Sequence, residues 1–118
     1  MKALILALLA AATATVAHAQ ATVFEKNGSM QYLMVPTDKA RDTRYIEDAA
    51  QKACGGESVC TVMVWAESLD KPTGWPFHTR YRENQLAEFQ RNYGTGVARS
   101  MAFNCKLIPR TSSSMNCF

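Results

Sequence analysis

The sequence predicts a small mixed α/β domain. It is an α+β two-layer sandwich in which an N-terminal β-hairpin is followed by α-β-α-β and stapled by disulfides. Three observations carry this. Asn27-Gly28 stands between two strand-like runs, a strong short-range hairpin signal. Ile46, Ala49, Ala50 and Ala53 recur at helical spacing. Val59 to Ala66 is strand-like with apolar residues on both alternating faces, as expected of an interior strand.

The elements follow in order. Ala21 to Lys26 reads as the first strand and Ser29 to Val35 as the second. A type I′ turn at Asn27-Gly28 would join them, with positive φ at both central residues. Asn27-Gly28-Ser29 also matches a glycosylation acceptor pattern, but the turn already explains these residues. Pro36 ends the second strand, and a polar loop runs to Asp42. Asp42 or Thr43 is the expected N-cap of a helix. Arg44/Asp48 and Asp48/Lys52 are i,i+4 pairs on its outer side, and Gly55-Gly56 stops it. Its small alanines imply close packing on a sheet. After the strand Val59–Ala66, a loop from Glu67 to Thr79 is punctuated by Pro72, Gly74 and Pro76. A second helix is expected from about Arg80 to Tyr93, between Thr79 as N-cap and Gly94 as C-terminal stop. Its apolar side would be Leu86, Phe89 and Tyr93, with Arg82 beside them. Arg99 to Leu107 reads as the last strand, and Pro109 to Phe118 as a tail.

Residues 1–19 read as a secretory signal peptide. Met1-Lys2 leads an apolar run from Ala3 to Ala17, and Ala17-His18-Ala19 supplies the small residues of a cleavage site before Gln20. The run is too short and too rich in Ala and Thr for a good membrane anchor. No second run reaches membrane length, and Gln20 in place of Cys argues against a lipid anchor. Residues 20–118 then form one domain, periplasmic or secreted, with its oligomeric state left open. In an oxidising compartment Cys54, Cys60, Cys105 and Cys117 read as disulfides. The pairing Cys54–Cys60 with Cys105–Cys117 is favoured, because Gly55-Gly56 lets the chain turn between the first two. The main rival pairs Cys60 with Cys105.

The whole-chain net charge of +3 falls to +2 when Lys2 leaves, too small to suggest nucleic acid. Its distribution is uneven. Residues 20–70 carry five basic and eight acidic side chains, whereas residues 71–118 carry seven and two. Such asymmetry can mark a surface for an anionic partner, unless the halves interleave in space.

Catalytic chemistry finds little support. His18 leaves with the signal, so His78 is the one histidine of the mature chain. No metal ligand set remains once the cysteines pair, and no cofactor motif is present. No serine lies in a nucleophile elbow. Gly94-Thr95-Gly96 follows a helix instead of opening one, so it is no phosphate cradle. Glu67, Asp70, Glu83 and Glu88 would have to converge to act as paired carboxylates. One segment has the texture of a binding surface: Trp75-Pro76-Phe77-His78-Thr79-Arg80-Tyr81-Arg82. Arg91 and Arg99 are candidate additions to it. The competing reading tucks Trp75 and Phe77 under the sheet as core.

The expectation is therefore a non-catalytic secreted binding module for a protein or an anionic envelope component, an enzyme inhibitor being one concrete form. The alternatives are a small hydrolase using carboxylates or His78, and an assembly component of the cell envelope. A long uncovered edge on the Ala21–Lys26 strand would favour the last, by strand addition.

Overall fold

A computed structural model describes residues 20–118, so the expected signal peptide lies outside the described residues. The architecture is a mixed α/β domain built on one six-stranded sheet whose spatial order, β1-β2-β3-β4-β5-β6, repeats the order in the chain. The strands are β1 (Thr22–Asn27), β2 (Met30–Val35), β3 (Val59–Ala66), β4 (Ala87–Asn92), β5 (Val97–Phe103) and β6 (Asn116–Cys117). The helices are α1 (Thr43–Cys54), between β2 and β3, and α2 (Arg80–Asn84), between β3 and β4. The β2–β3 and β5–β6 pairs are parallel and the other three are antiparallel.

The hairpin forms where the sequence places it, but with a different turn. Asn27 pairs with Met30, so Gly28 and Ser29 are the two loop residues. Gly28 has φ +59°, and no non-glycine residue among the described residues has positive φ. That is the pattern of a type II′ turn, which needs its glycine only at the first loop position, and not of the expected type I′.

In α1 the Asp42 carboxylate accepts from the Tyr45 backbone N–H at 3.0 Å, so Asp42 is the N-cap. Gly55 ends the helix at φ +55° and ψ −129°, a conformation that a side chain would strain. Ile46, Ala50 and Cys54 are the buried stripe. The expected Arg44/Asp48 and Asp48/Lys52 contacts do not close into ion pairs among the described residues. The helix is held by its buried side instead. There it meets Leu33, Val35, Val62, Val64, Ala66, Ala87, Phe89 and Phe103 from the sheet.

The C-terminal end of α1 is tied down three times. Cys54 bridges to Cys60 at the start of β3, with a Cα separation of 5.8 Å. Buried Gln31 donates from Nε2 to the Ala53 carbonyl at 3.0 Å. Arg91 donates from Nη1 to the carbonyls of Gly55, at 2.8 Å, and Glu57, at 3.2 Å. A cation here also complements the negative end of the helix dipole.

The expected helix from Arg80 to Tyr93 is corrected: α2 stops at Asn84, and Ala87 to Asn92 is strand β4. Leu86, Phe89 and Tyr93 fit a helical period, but Ala87 and Phe89 equally fit a period of two. The arbiter is tertiary. β4 lies between β3 and β5 and bonds to both, which a helix there would forfeit on both sides. The last long strand also shifts, to Val97–Phe103, while Leu107 and Ile108 fold back in a turn on the Asn104 carbonyl. The tail is held by Cys105–Cys117 and by the Phe118 N–H bonding to the Phe103 carbonyl at 3.0 Å. Both disulfides have the favoured pairing.

Candidate functional site

The helix-free face of the sheet positions the Trp75–Arg82 segment. Alternation along β2 and β3 sends Tyr32, Met63 and Trp65 to that face, away from α1. There they are buried beneath the chain that runs from Ala66 to β4. Phe24, Met30, Phe77 and Tyr81 pack around them. Phe24 reaches this side because β1 bulges between Val23 and Glu25.

The covering loop is fixed at successive points. Lys71 donates from Nζ to the carbonyls of Glu67 at 2.7 Å and Leu69 at 2.8 Å, which locks the exit from β3. The Tyr32 hydroxyl donates to the Gly74 carbonyl at 3.2 Å. The Trp65 indole N–H donates to the Tyr81 carbonyl at 2.8 Å. Between these ties Phe77 stands edge-on to Tyr32 and Trp65, with ring centroids 5.8 and 5.7 Å away. Phe77 thus packs on the core, as the competing reading expects for it.

Trp75 does not share that fate. It rests on Phe77 at 5.5 Å and near Tyr32 at 6.5 Å, yet 47% of it stays exposed. Three residues further on, His78 is exposed, and its Nδ1 accepts from the Arg80 backbone N–H at 3.1 Å. Arg80 lies over the Tyr81 ring, bonds to the Tyr81 hydroxyl and sits 3.8 Å from Asp70. The loop therefore presents an indole, an imidazole and a guanidinium on an aromatic base.

The other arginines disperse. Arg82 packs over the Phe118 ring at 4.5 Å and lies 3.8 Å from Glu88. Arg91 is paired in register with Cys60, at the opposite end of β3 from the loop, where it binds the end of α1. Arg99 is exposed on β5, next to Ser100, which pairs with Gln90 toward that same far end. Two of the four carboxylates considered above are engaged, Asp70 by Arg80 and Glu88 by Arg82. No group of three or more His, Cys, Asp or Glu side chains fit to hold a metal occurs among the described residues.

Sequence reasoning missed Tyr32 and Trp65 as the base of the site. Their signal was present: both are aromatic and both lie on one alternating face of adjacent strands. Fold and site define a small disulfide-bridged α/β domain with a braced aromatic loop. No family model, curated protein or solved structure matches the chain.

Proposed function

We propose that this is a non-catalytic binding module, exported to the periplasm or secreted, that contacts its partner through Trp75 and the neighbouring His78, Arg80 and Tyr81. One observation carries the reading: Trp75 is half exposed on a loop whose backbone is hydrogen-bonded to two buried aromatics. A large ring held in place binds with little loss of conformational freedom, and Trp, Tyr and Arg dominate interface hot spots. Export is supported by two disulfides and no free cysteine among the described residues. No helix of those residues is long and apolar enough to cross a membrane.

A protein partner is favoured over an anionic envelope component. Four of the seven basic residues of the C-terminal half, Lys71, Arg80, Arg82 and Arg91, are engaged by carbonyls, carboxylates and rings of the same chain, which leaves fewer cations free for an anionic partner. The test is photocrosslinking in envelope extract from a probe at position 78, comparing wild type with Trp75→Ala and Arg80→Ala. Losing a hot spot costs about 2 kcal/mol, roughly thirtyfold in affinity, so the adduct should fade in folded variants. Equal adducts from wild type and Trp75→Ala would remove the loop from the interface.

A further inference from the structure

A second surface lies on the other side of the sheet, between α1 and β1. Val23 pairs with Leu33, which belongs to the helix-side core, so Val23 faces α1. Beside it runs a groove of about 550 Å³ lined by Gln20, Ala21, Val23 and Leu33 below and by Tyr45, Ala49 and Ala53 on the helix. Asp48 and Lys52 stand at its helix wall. Val23 is 39% exposed at its floor. The volume falls within the roughly 300–1,000 Å³ typical of ligand sites.

The groove follows the sheet's open margin. β1 ends the strand order and is bonded to β2 alone, so one side of its backbone has no ladder partner among the described residues. The opposite margin is closed only at one end, where the two residues of β6 pair with Ala102 and Phe103 of β5 and are clipped by Cys105–Cys117. A strand added beside β1 would continue the sheet on the Thr22–Val23 side of the bulge, where its alternate side chains would project toward α1, over the groove.

We infer that β1 and α1 form a docking site for an extended segment of another protein, added as a strand with apolar side chains at alternate positions. Backbone bonds to β1 supply affinity, and filling of the groove supplies selectivity. A second copy of this chain fits less well. A standard interface buries about 800 Å² per partner over roughly 20–30 residues, and the six residues of β1 with the groove lining supply about half that number. A second β1 would also bring only one apolar side chain, Val23, to so large a groove. This site is independent of the Trp75 loop, which lies on the other face.

The probe is a nonapeptide of alternating threonine and valine with a lysine at each end, titrated into the protein and followed by backbone amide NMR. The expected result is at least tenfold slower hydrogen exchange in Thr22–Lys26, with shifts at Ala49 and Ala53. Replacing the valines by serine should weaken binding at least tenfold, since pairing survives but the groove stays empty. Ala49→Arg, and independently Val23→Glu, should do the same with unchanged melting temperature, while Trp75→Ala should bind like wild type. Absence of binding, shifts confined to the Trp75 loop, or indifference to the valines would overturn the inference. So would protection that rises with protein concentration without peptide, which would make the occupant a second copy.

Discussion

Trp65, fully buried on β3, donates its indole N–H to the backbone carbonyl of Tyr81 in α2 at 2.8 Å. Sheet and covering loop meet through this bond. Trp65→Phe keeps most of the ring packing but orphans the Tyr81 carbonyl. The expected loss is about 1–3 kcal/mol of stability in urea unfolding. Faster amide exchange should accompany it in residues 71–84. Unchanged exchange there would mean the loop is held by packing alone.

Trp75 and Phe77 should behave oppositely. Trp75→Ala should change stability by less than about 1 kcal/mol, because half of the ring already faces solvent. Phe77→Ala should cost about 2–3 kcal/mol, somewhat below a fully buried phenylalanine. Thermal melts of the two variants decide this. A larger loss for Trp75→Ala would place that ring in the core and remove the anchor of the proposed interface.

Much of the fold was legible in local signals. The Asp42 cap, the Ile46–Ala50 stripe, the limits of β3 and both disulfides were all readable, because each rests on neighbours within a dozen residues. β4 was not legible. Ala87, Phe89 and Asn92 become a strand through ladders to Val64, Val62 and Val59 on one side and to β5 on the other. No local pattern encodes those partners. The site divides in the same way. Its texture was readable in Trp75–Arg82, but the separation of half-exposed Trp75 from packed Phe77 depends on Tyr32 and Trp65, distant in sequence. The same distance hid that Arg91 and Arg99 lie at the far end of the sheet.

Tyr32 should make stability sensitive to alkali. Burial first, and Glu25 second, push its phenol from 10.0 up to about 12. The folded state thus favours the neutral phenol, which also donates to Gly74. Its contribution is complete below pH 10 and is lost as the pH rises through about 12. Relative to Tyr32→Phe, the wild type should lose on the order of 2 kcal/mol across that window. Urea midpoints of both proteins at about pH 9 and about pH 12 measure it. A pH-independent difference would contradict the assignment.

The disulfides should contribute unequally. Their sequence separations are 6 and 12 residues. Chain entropy then assigns about 2 kcal/mol to Cys54–Cys60 and about 3 kcal/mol to Cys105–Cys117. Paired serine substitutions, compared by denaturant unfolding, check the ranking. Opening Cys105–Cys117 should also speed amide exchange along β5 by releasing β6, whereas opening Cys54–Cys60 should act at the end of α1.

The connectivity has a consequence for how the chain matures. Each bridge joins cysteines that are nearest neighbours in sequence, and each strand lies beside the one made just before it. If the chain is exported N-terminus first, as proposed above, each thiol pair can oxidise as it emerges and the sheet can be laid down in the same direction. The first bridge can be in place before Cys105 arrives, which disfavours the mispairing of Cys60 with Cys105. A thiol oxidase that acts on consecutive cysteines therefore suffices, and maturation should proceed normally in a host lacking a disulfide isomerase.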